Sequence, residues 1–132
     1  MSEENVELVR QMYDAFGSGD ADAALAYFDC GVVTDARHRI DGRVGHGREE
    51  LVAILAEWMG TWDEWREEVE EIRDAGDRVL VISTQRGRGK GSGAQWEGHF
   101  GMLYAIADGK ICRWTIYDDL DTALEAAGLA NT

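Results

Sequence analysis

The first part of the chain has apolar residues at the spacing of a helix. Val6, Val9 and Phe16 recur on one helical face, and the glycine-rich segment 17–19 follows them. This pattern predicts an amphipathic helix that ends at the glycines. Asp20 comes next, and its carboxylate is typical of a residue that caps a helix. The chain is therefore expected to begin with two helices, the second shorter than the first.

The rest of the chain changes from helical spacing to the alternation of strands. Residues 32–39 have the composition of a strand, and a third helix is expected to begin near Arg48. A C-terminal helix follows four further strands, which we expect at residues 66–73, 78–86, 94–106 and 111–118. This order predicts an α+β fold with a mostly antiparallel sheet, formed by one domain over residues 1–132.

The longest predicted strand has two different faces, because successive side chains point to opposite sides of a sheet. Asp108-Gly109 predicts a tight turn that pairs this strand with the last one. The pairing brings together on one face the apolar and aromatic side chains Trp96, Phe100, Met102, Tyr104, Trp114 and Ile116. A curved sheet with helices over this face would enclose a pocket. The alternative is that these side chains fill a solid core.

Charge and composition exclude several classes of protein. The chain has 13 Lys and Arg residues against 26 Asp and Glu residues, a net charge of −13, which is unfavourable for binding nucleic acid. It has no apolar run of the roughly 20 residues that a membrane span needs and no secretory signal, so we expect a cytoplasmic protein. Two short basic clusters are expected to be solvated loops: Arg37, Arg39 and Arg43, and Arg86, Arg88 and Lys90.

The potential metal ligands are scattered along the sequence. Cys30 and Cys112 lie far apart and are expected to be reduced thiols. His38, His46 and His99 show no zinc-binding spacing. We therefore expect neither a metal ion nor an organic cofactor.

Three stretches of the chain resemble one known family. Residues 4–29, 68–81 and 108–129, together with the order of elements, are similar to the SnoaL-like branch of the nuclear-transport-factor-2-like superfamily. The resemblance implies a cone-shaped α+β barrel, in which three to four helices wrap a curved, mostly antiparallel sheet. The superfamily includes ketosteroid isomerases, polyketide cyclases, limonene-epoxide hydrolases, dehydratases and members that only bind a ligand, so the fold does not determine the function.

The resemblance also assigns roles to single positions. It places the general-base aspartate of ketosteroid isomerases at Asp35. It places their oxyanion-binding tyrosine at Met12, next to Tyr13. Their second oxyanion acid, or the histidine of many SnoaL-like proteins, falls at Met102 and is therefore absent. Only part of a known active site is implied.

Two further implications of the resemblance concern other enzymes and assembly. The Asp-Arg-Asp set of epoxide hydrolases falls near Ser83, Gln85 and Ile116, so that machinery is absent. A homodimer through the convex face of the sheet is implied, and by alternation this face carries Glu97, His99 and Leu103.

Asp35 is the most prominent candidate when the residues are considered by themselves. It lies inside a predicted strand, where an unpaired carboxylate is costly to bury. Apolar surroundings would raise the pKa of Asp35 and suit it to proton transfer near neutral pH. The alternative is a solvated aspartate, or one that is held ionised by Arg37 on the same face.

Three functions follow from these features. The first is an isomerase, cyclase or lyase that needs no cofactor and acts on an apolar, carbonyl-bearing or polycyclic molecule. The second is a carrier that binds a small hydrophobic molecule without chemistry, and the third is an interaction protein. Asp35 would transfer the proton and Tyr13 and Tyr104 would donate hydrogen bonds to an oxyanion. The remaining candidate site residues form the expected wall of the pocket: Trp58, Ser83, Gln85, Trp96, Phe100, Met102, Trp114, Ile116 and Asp118.

Overall fold

A computed structural model describes residues 2–39 and 42–129 of the chain. The described helices are α1 (Ser2–Gly17), α2 (Ala21–Leu25), α3 (Gly47–Met59) and α4 (Leu120–Ala126). The described strands are β1 (Phe28–His38), β2 (Val44–His46), β3 (Arg66–Ala75), β4 (Arg78–Arg88), β5 (Gln95–Ala107) and β6 (Lys110–Tyr117). None of these helices is long and apolar enough to cross a membrane.

The six described strands form one curved sheet in the order β2-β1-β6-β5-β4-β3. The pair β1–β6 is parallel, and the other neighbouring strands are antiparallel. The sheet does not close, so β2 and β3 remain its edges. The α+β class and the mostly antiparallel sheet that the sequence predicts are confirmed.

Two strands differ from the sequence prediction. β1 begins at Phe28, four residues earlier than expected, because Phe28 pairs with Ile111 of β6. The turn-rich segment before α3 contains β2, which pairs with Val33–Asp35 of β1. The start of β1 depends on a partner distant in sequence, and β2 has only three residues, so local composition reveals neither. Residues 40 and 41 lie outside the described residues.

The inner face of the sheet packs against α1, α2 and α3. Tyr104 pairs with Trp114, and Met102 pairs with Ile116. Because paired residues share a face, the aromatic and apolar side chains of β5 and β6 lie together on the inner face, as the alternation predicts. They join one core with Val9 of α1 and with residues of α3.

The outer face of the sheet is partly covered by α4. Leu80, Leu103 and Ala123 form a second apolar cluster between this helix and the strands. Gly101 permits the close approach, because a side chain at this position would meet the Cβ atom of Ala123. Asp119 caps α4 by accepting a hydrogen bond from the backbone N–H of Asp121 at 3.2 Å. The molecule therefore has helices on both faces of its sheet.

Candidate functional site

A cavity of about 230 Å³ lies between the inner face of the sheet and the first three helices. Most of its wall is apolar. The apolar side chains on the wall include Met12, Phe16, Phe28, Leu51, Leu55, Met102, Trp114 and Ile116. The polar side chains that reach the cavity are few, which is typical of a binding site for a small organic molecule. They include Tyr13, Arg39, Glu67, Gln85 and Tyr104.

A second, more open cleft of about 530 Å³ adjoins the cavity. Trp58 and Arg39 line both spaces, so they form the boundary between them. The rings of Trp62 and Trp96 stack in the cleft at 4.3 Å between centroids, and Trp58 meets both rings edge-on. The cleft is therefore lined largely by aromatic rings and lies beside the apolar cavity.

Glu67 of β3 places a carboxylate on the wall of the apolar cavity. Its backbone pairs with Gln85 of β4, and the Ser83 hydroxyl donates a hydrogen bond of 2.8 Å to its Oε2 atom. Burial raises the pKa of Glu67, and hydrogen bonds from Ser83 and Gln85 partly oppose that rise. A carboxylate with a raised pKa is a stronger base than an exposed one, and it exchanges protons nearer to neutral pH.

Gln85 is held in one orientation by two indole groups. The Nε1 atoms of Trp58 and Trp65 donate hydrogen bonds to its Oε1 atom at 2.8 and 3.0 Å. Because this oxygen accepts both bonds, the amide nitrogen is left to donate to the Glu67 carboxylate. The tryptophans of α3 and of the segment before β3 thus position the acid through Gln85.

Two tyrosine hydroxyls meet on the same wall of the cavity. The Oη atoms of Tyr13 and Tyr104 are 2.6 Å apart. Burial raises the pKa of each tyrosine well above its ordinary value, and the charge of Glu67 adds to the effect. Both hydroxyls therefore stay protonated at neutral pH. Because two hydroxyls joined by one hydrogen bond use only one of their hydrogens, the pair has a second O–H to offer to a ligand.

Asp35 does not line the cavity. Asp35 pairs with Thr115 of the parallel strand β6, whereas its neighbour Thr34 pairs with Trp114, which faces the cavity. Since side chains alternate along a strand, Asp35 points to the outer face of the sheet. The expectation that this carboxylate projects into the pocket is wrong.

Asp35 is instead a buried partner of two arginines. Arg37 contacts its Oδ1 atom through Nε at 3.0 Å and its Oδ2 atom through Nη2 at 2.8 Å. Arg113 of β6 contacts Oδ2 at 2.7 Å. The hydrogen bond from the Arg37 side chain is the largest cause that lowers the pKa of Asp35 to about 2. The alternative of an arginine-paired aspartate is confirmed, and a raised pKa at this position is contradicted.

The other predicted site residues divide into three groups by position. Tyr13, Trp58, Gln85, Met102, Tyr104, Trp114 and Ile116 line the inner cavity. The aromatic cleft is lined by Trp96, Phe100 and Asp118, together with Trp58. Ser83 is buried and contacts Glu67 without lining either space. Glu67 therefore shares the inner cavity with the first group and contacts Ser83, whereas Asp35 lies apart from both spaces.

Glu67 and Arg39 are the polar residues of the site that the sequence pattern did not reveal. Glu67 belongs to β3, a strand rich in charged residues whose two larger apolar residues, Val69 and Ile72, lie three positions apart. A register shift between Val69 and Glu71 in the β3–β4 pair reverses the alternation there and turns Glu67 inward. Arg39 was expected in a solvated loop, but it follows β1 directly and lines the cavity. The backbone pairing of Glu67 with Gln85 would identify Glu67 as a cavity residue, but this pairing can be inferred only if the register shift is known.

The described residues include no group of three or more His, Cys, Asp and Glu side chains that could hold a metal ion. The polar groups on the cavity wall include a carboxylate, two hydroxyls, an amide and a guanidinium.

Comparisons with known proteins agree with this architecture. The family of SnoaL-like domains matches residues 9–114. None of the curated proteins that were compared matches the chain. A nuclear-transport-factor-2-like protein from Burkholderia pseudomallei is 22% identical, over 95% of this chain and 97% of its own, with a TM-score of 0.79.

Two further solved structures share the fold. A candidate polyketide cyclase from Xanthomonas campestris pathovar campestris is 25% identical, over 96% of this chain and 98% of its own, with a TM-score of 0.69. A protein from Catenulispora acidiphila with a ketosteroid isomerase-like fold, in complex with trimethylamine, is 20% identical, over 93% of each chain, with a TM-score of 0.72. Since the family match extends over most of the sequence, the chain belongs to the family of SnoaL-like domains.

Proposed function

We propose that this protein binds a small, apolar, carbonyl-bearing molecule in its inner cavity and moves a proton on it with Glu67. The observation that carries the proposal is a carboxylate of raised pKa, on an apolar wall, beside a buried pair of tyrosine hydroxyls. The class of chemistry is the one that the sequence suggests, that of an isomerase, cyclase or lyase without a cofactor. The residue that would transfer the proton is Glu67 and not Asp35.

The chemical step needs only the groups on the cavity wall. The ionised Glu67 carboxylate takes a proton from the carbon next to the carbonyl group of the ligand. The electrons of the broken C–H bond form a carbon–carbon double bond, and the π electrons of the carbonyl group move to its oxygen, which becomes the enolate oxygen. The free hydroxyl hydrogen of the Tyr13–Tyr104 pair donates to this oxygen. Glu67 then returns the proton to the same carbon, which gives exchange, or to the far end of a C=C bond conjugated with the enolate, which moves that double bond. The carbonyl double bond forms again in both cases, so the step is redox-neutral.

The surroundings of Glu67 suit this step because they make its ionised form a stronger base. Burial raises the pKa of Glu67, whereas the hydrogen bonds from Ser83 and Gln85 hold the carboxylate in place. A positioned acid–base group of this kind contributes about 10²–10⁴-fold to a reaction rate. Loss of one preorganised oxyanion donor costs about 10²–10³-fold.

The family supports the class of ligand. A solved relative is a candidate polyketide cyclase, and another has a ketosteroid isomerase-like fold. The first name refers to an enzyme class, and the second refers to a fold. The resemblance of the sequence to ketosteroid isomerases places a general base at Asp35, but that carboxylate is held by Arg37 and Arg113 on the outer face. In this chain the base would come from β3.

The test is hydrogen–deuterium exchange at the carbons next to the carbonyl of 2-tetralone, a two-ring ketone, followed by NMR in D₂O at neutral pH. We expect the wild-type protein to accelerate the exchange. Glu67→Gln should lower the rate by about 10²-fold or more, because it removes the base. The double variant Tyr13→Phe, Tyr104→Phe should lower the rate by about 10²-fold, because it removes the oxyanion donors. Wild-type exchange in folded Glu67→Gln protein would contradict the proposal.

A carrier without chemistry is the second candidate function. The observation that favours it is Met102, which lines the cavity at the position where the resemblance places a second oxyanion acid or a histidine. A carrier would bind 2-tetralone with saturable quenching of tryptophan fluorescence, without accelerating the exchange. That result would favour the carrier and contradict proton transfer by Glu67.

A further inference from the structure

Arg39 stands at the boundary between the inner cavity and the aromatic cleft, and it lines both. Its guanidinium carbon lies 4.2 Å from the centre of the Trp58 ring, which is a cation–π contact. Trp58 is in turn fixed by its hydrogen bond to Gln85. The cation is therefore held at one end of the cavity by the same tryptophan that orients Gln85 beside Glu67.

None of the carboxylates in the described part of the chain forms an ion pair with the Arg39 guanidinium. It takes part in none of the ion pairs among residues 2–39 and 42–129. Its Nε atom is buried without a hydrogen-bond partner there. The nearest part of the cleft offers Glu57 and Asp118, but Glu57 is bound to Arg43 at 2.9 Å and Asp118 is exposed.

Burying the positive charge of Arg39 has an electrostatic cost. Burial lowers the pKa of Arg39 to about 10, although the charges of Asp118 and Glu57 oppose that change. Arg37 and Arg43, the other members of the same basic cluster, are each paired with a carboxylate. A partly buried cation that has no ion pair within residues 2–39 and 42–129 is unusual in a protein of net charge −13, and a bound anion would reduce the cost.

We propose that Arg39 binds an anionic group of the ligand, so that the substrate class of this site is an aromatic or polycyclic carboxylic acid. The proposal rests on the proposed function, because it concerns the ligand of the same cavity. The rings would occupy the apolar cavity, and the carboxylate would lie at its boundary with the cleft. A guanidinium group suits this role because its N–H groups match the two oxygens of a carboxylate.

The aromatic cleft could also suggest a cationic ligand, because tryptophan faces attract cations. The contacts argue against it. Arg39 already lies over Trp58, and Trp62 and Trp96 stack on each other. A second cation at this boundary would be repelled by Arg39. An anion at the same place would be attracted by it.

The test compares three ligands that share one ring system and differ in charge: 2-naphthoate, the neutral 2-acetylnaphthalene and the cationic N,N,N-trimethyl-2-naphthylammonium. Binding is measured by quenching of tryptophan fluorescence at neutral pH. We expect 2-naphthoate to bind about tenfold more tightly than the neutral ketone, as a charge-assisted hydrogen bond would give. Arg39→Gln should abolish this preference, and Arg39→Lys should retain part of it.

The matched control is Arg73→Gln, which removes one exposed positive charge from β3 and leaves the cavity wall unchanged. It should keep the preference for 2-naphthoate, which separates local binding from the overall charge of the protein. Equal binding of 2-naphthoate and the ketone, tighter binding of the cation, no binding of any of the three, or an unchanged preference in Arg39→Gln would each overturn the inference.

The same ligands separate failure of this inference from failure of the proposed function. If 2-naphthoate shows no preference while exchange in 2-tetralone still depends on Glu67, proton transfer stands and the anionic substrate is wrong. If 2-naphthoate binds through Arg39 while Glu67→Gln leaves the exchange unchanged, the substrate class stands and proton transfer by Glu67 is wrong.

Discussion

Glu67 and Asp35 are carboxylates of the same sheet in opposite surroundings. Glu67 faces an apolar cavity, and burial raises its pKa. Asp35 faces two guanidinium groups, and the hydrogen bonds of Arg37 are the main reason why its pKa falls to about 2. A proton carrier needs a pKa near the working pH. These surroundings therefore suit Glu67 to proton transfer and Asp35 to stabilising the fold.

Replacing Asp35 with asparagine should destabilise the fold at neutral pH. The folded pKa lies below the ordinary value, so the ionised carboxylate stabilises the protein above about pH 4, and this stability is lost as the pH falls towards about 2. Arg37 and Arg113 are about half exposed, and solvent screens their charges, so the expected loss is about 1–2 kcal/mol. Urea unfolding at pH 7 and at pH 2 measures it.

The Asp35→Asn variant should approach the wild type in stability at pH 2, where about half of the folded Asp35 carboxyl is protonated and most of its stabilising contribution is lost. Equal stability of the two proteins at pH 7 would show that the Arg37 and Arg113 contacts contribute nothing to the fold.

Replacing Glu67 with glutamine should stabilise the fold at neutral pH. Burial raises the pKa of Glu67, so its ionised form is less favourable in the folded state than in the unfolded state. The penalty is absent below the unfolded value near 4.5 and develops as the pH rises through the folded pKa. Thermal unfolding at pH 7 should show a higher midpoint for Glu67→Gln, and the difference should disappear near pH 4. A lower midpoint at pH 7 would contradict this account of the carboxylate.

A single register shift in the β3–β4 pair determines which glutamate of β3 reaches the cavity. Ile72 pairs with Val81 and faces the core, and regular alternation from it would turn Glu68 inward. The shift between Val69 and Glu71 turns Glu67 inward instead. A bulge of this kind re-aims a side chain and is common beside functional sites. The sequence contains no local signal for it, which explains why Glu67 could not be identified from alternation alone.

The outer helix α4 depends on the absence of a side chain at Gly101. Gly101→Ala would place its methyl group against Ala123, and the helix would have to move. We expect a loss of about 1–3 kcal/mol in the free energy of unfolding, which is typical of overpacking. Urea unfolding measures the loss. Gly17→Ala is a matched control, because nothing lies near that position at the end of α1, and it should be neutral or slightly stabilising.

The double variant Gly101→Ala, Ala123→Gly tests whether Ala123 is the residue that the new methyl group would contact. Because Ala123→Gly removes the group that the new methyl would meet, Gly101→Ala should cost much less in that background than in the wild type. An equal cost in both backgrounds would rule out the contact between β5 and α4 as the cause.

At the scale of the whole molecule, the outer face of the sheet is partly covered by α4. The sequence resemblance predicts a homodimer through this face, with Glu97, His99 and Leu103. Leu103 is buried against Ala123 and Ala127 of α4, so its expected place in the contact is wrong. Glu97 and His99 remain on strand β5 outside this cluster.

The homodimer stays a prediction, and sedimentation equilibrium at micromolar concentration tests it. Each copy has a net charge of −13, so two copies repel each other and salt should strengthen their association by screening. Only monomer at both low and high salt would contradict the dimer.

The sequence was sufficient for the features that depend on local patterns. The order of helices and strands apart from β2, the α+β class and the shared face of Met102, Tyr104, Trp114 and Ile116 follow from periodicity and one turn. The orientation of Asp35 depends on its parallel pairing with β6, and that of Glu67 on a register shift. The first is a contact between distant segments, and the second is an irregularity within a hairpin, so neither orientation follows from regular alternation.

The most direct test of proton transfer by Glu67 compares the two carboxylates in one assay. The exchange rate of the α-hydrogens of 2-tetralone is measured at pH 7 with folded Glu67→Gln and folded Asp35→Asn protein at saturating ketone. We predict that Glu67→Gln loses about 10²-fold or more of the acceleration, whereas Asp35→Asn keeps the wild-type rate. Loss of the acceleration in Asp35→Asn with wild-type exchange in Glu67→Gln would contradict the account.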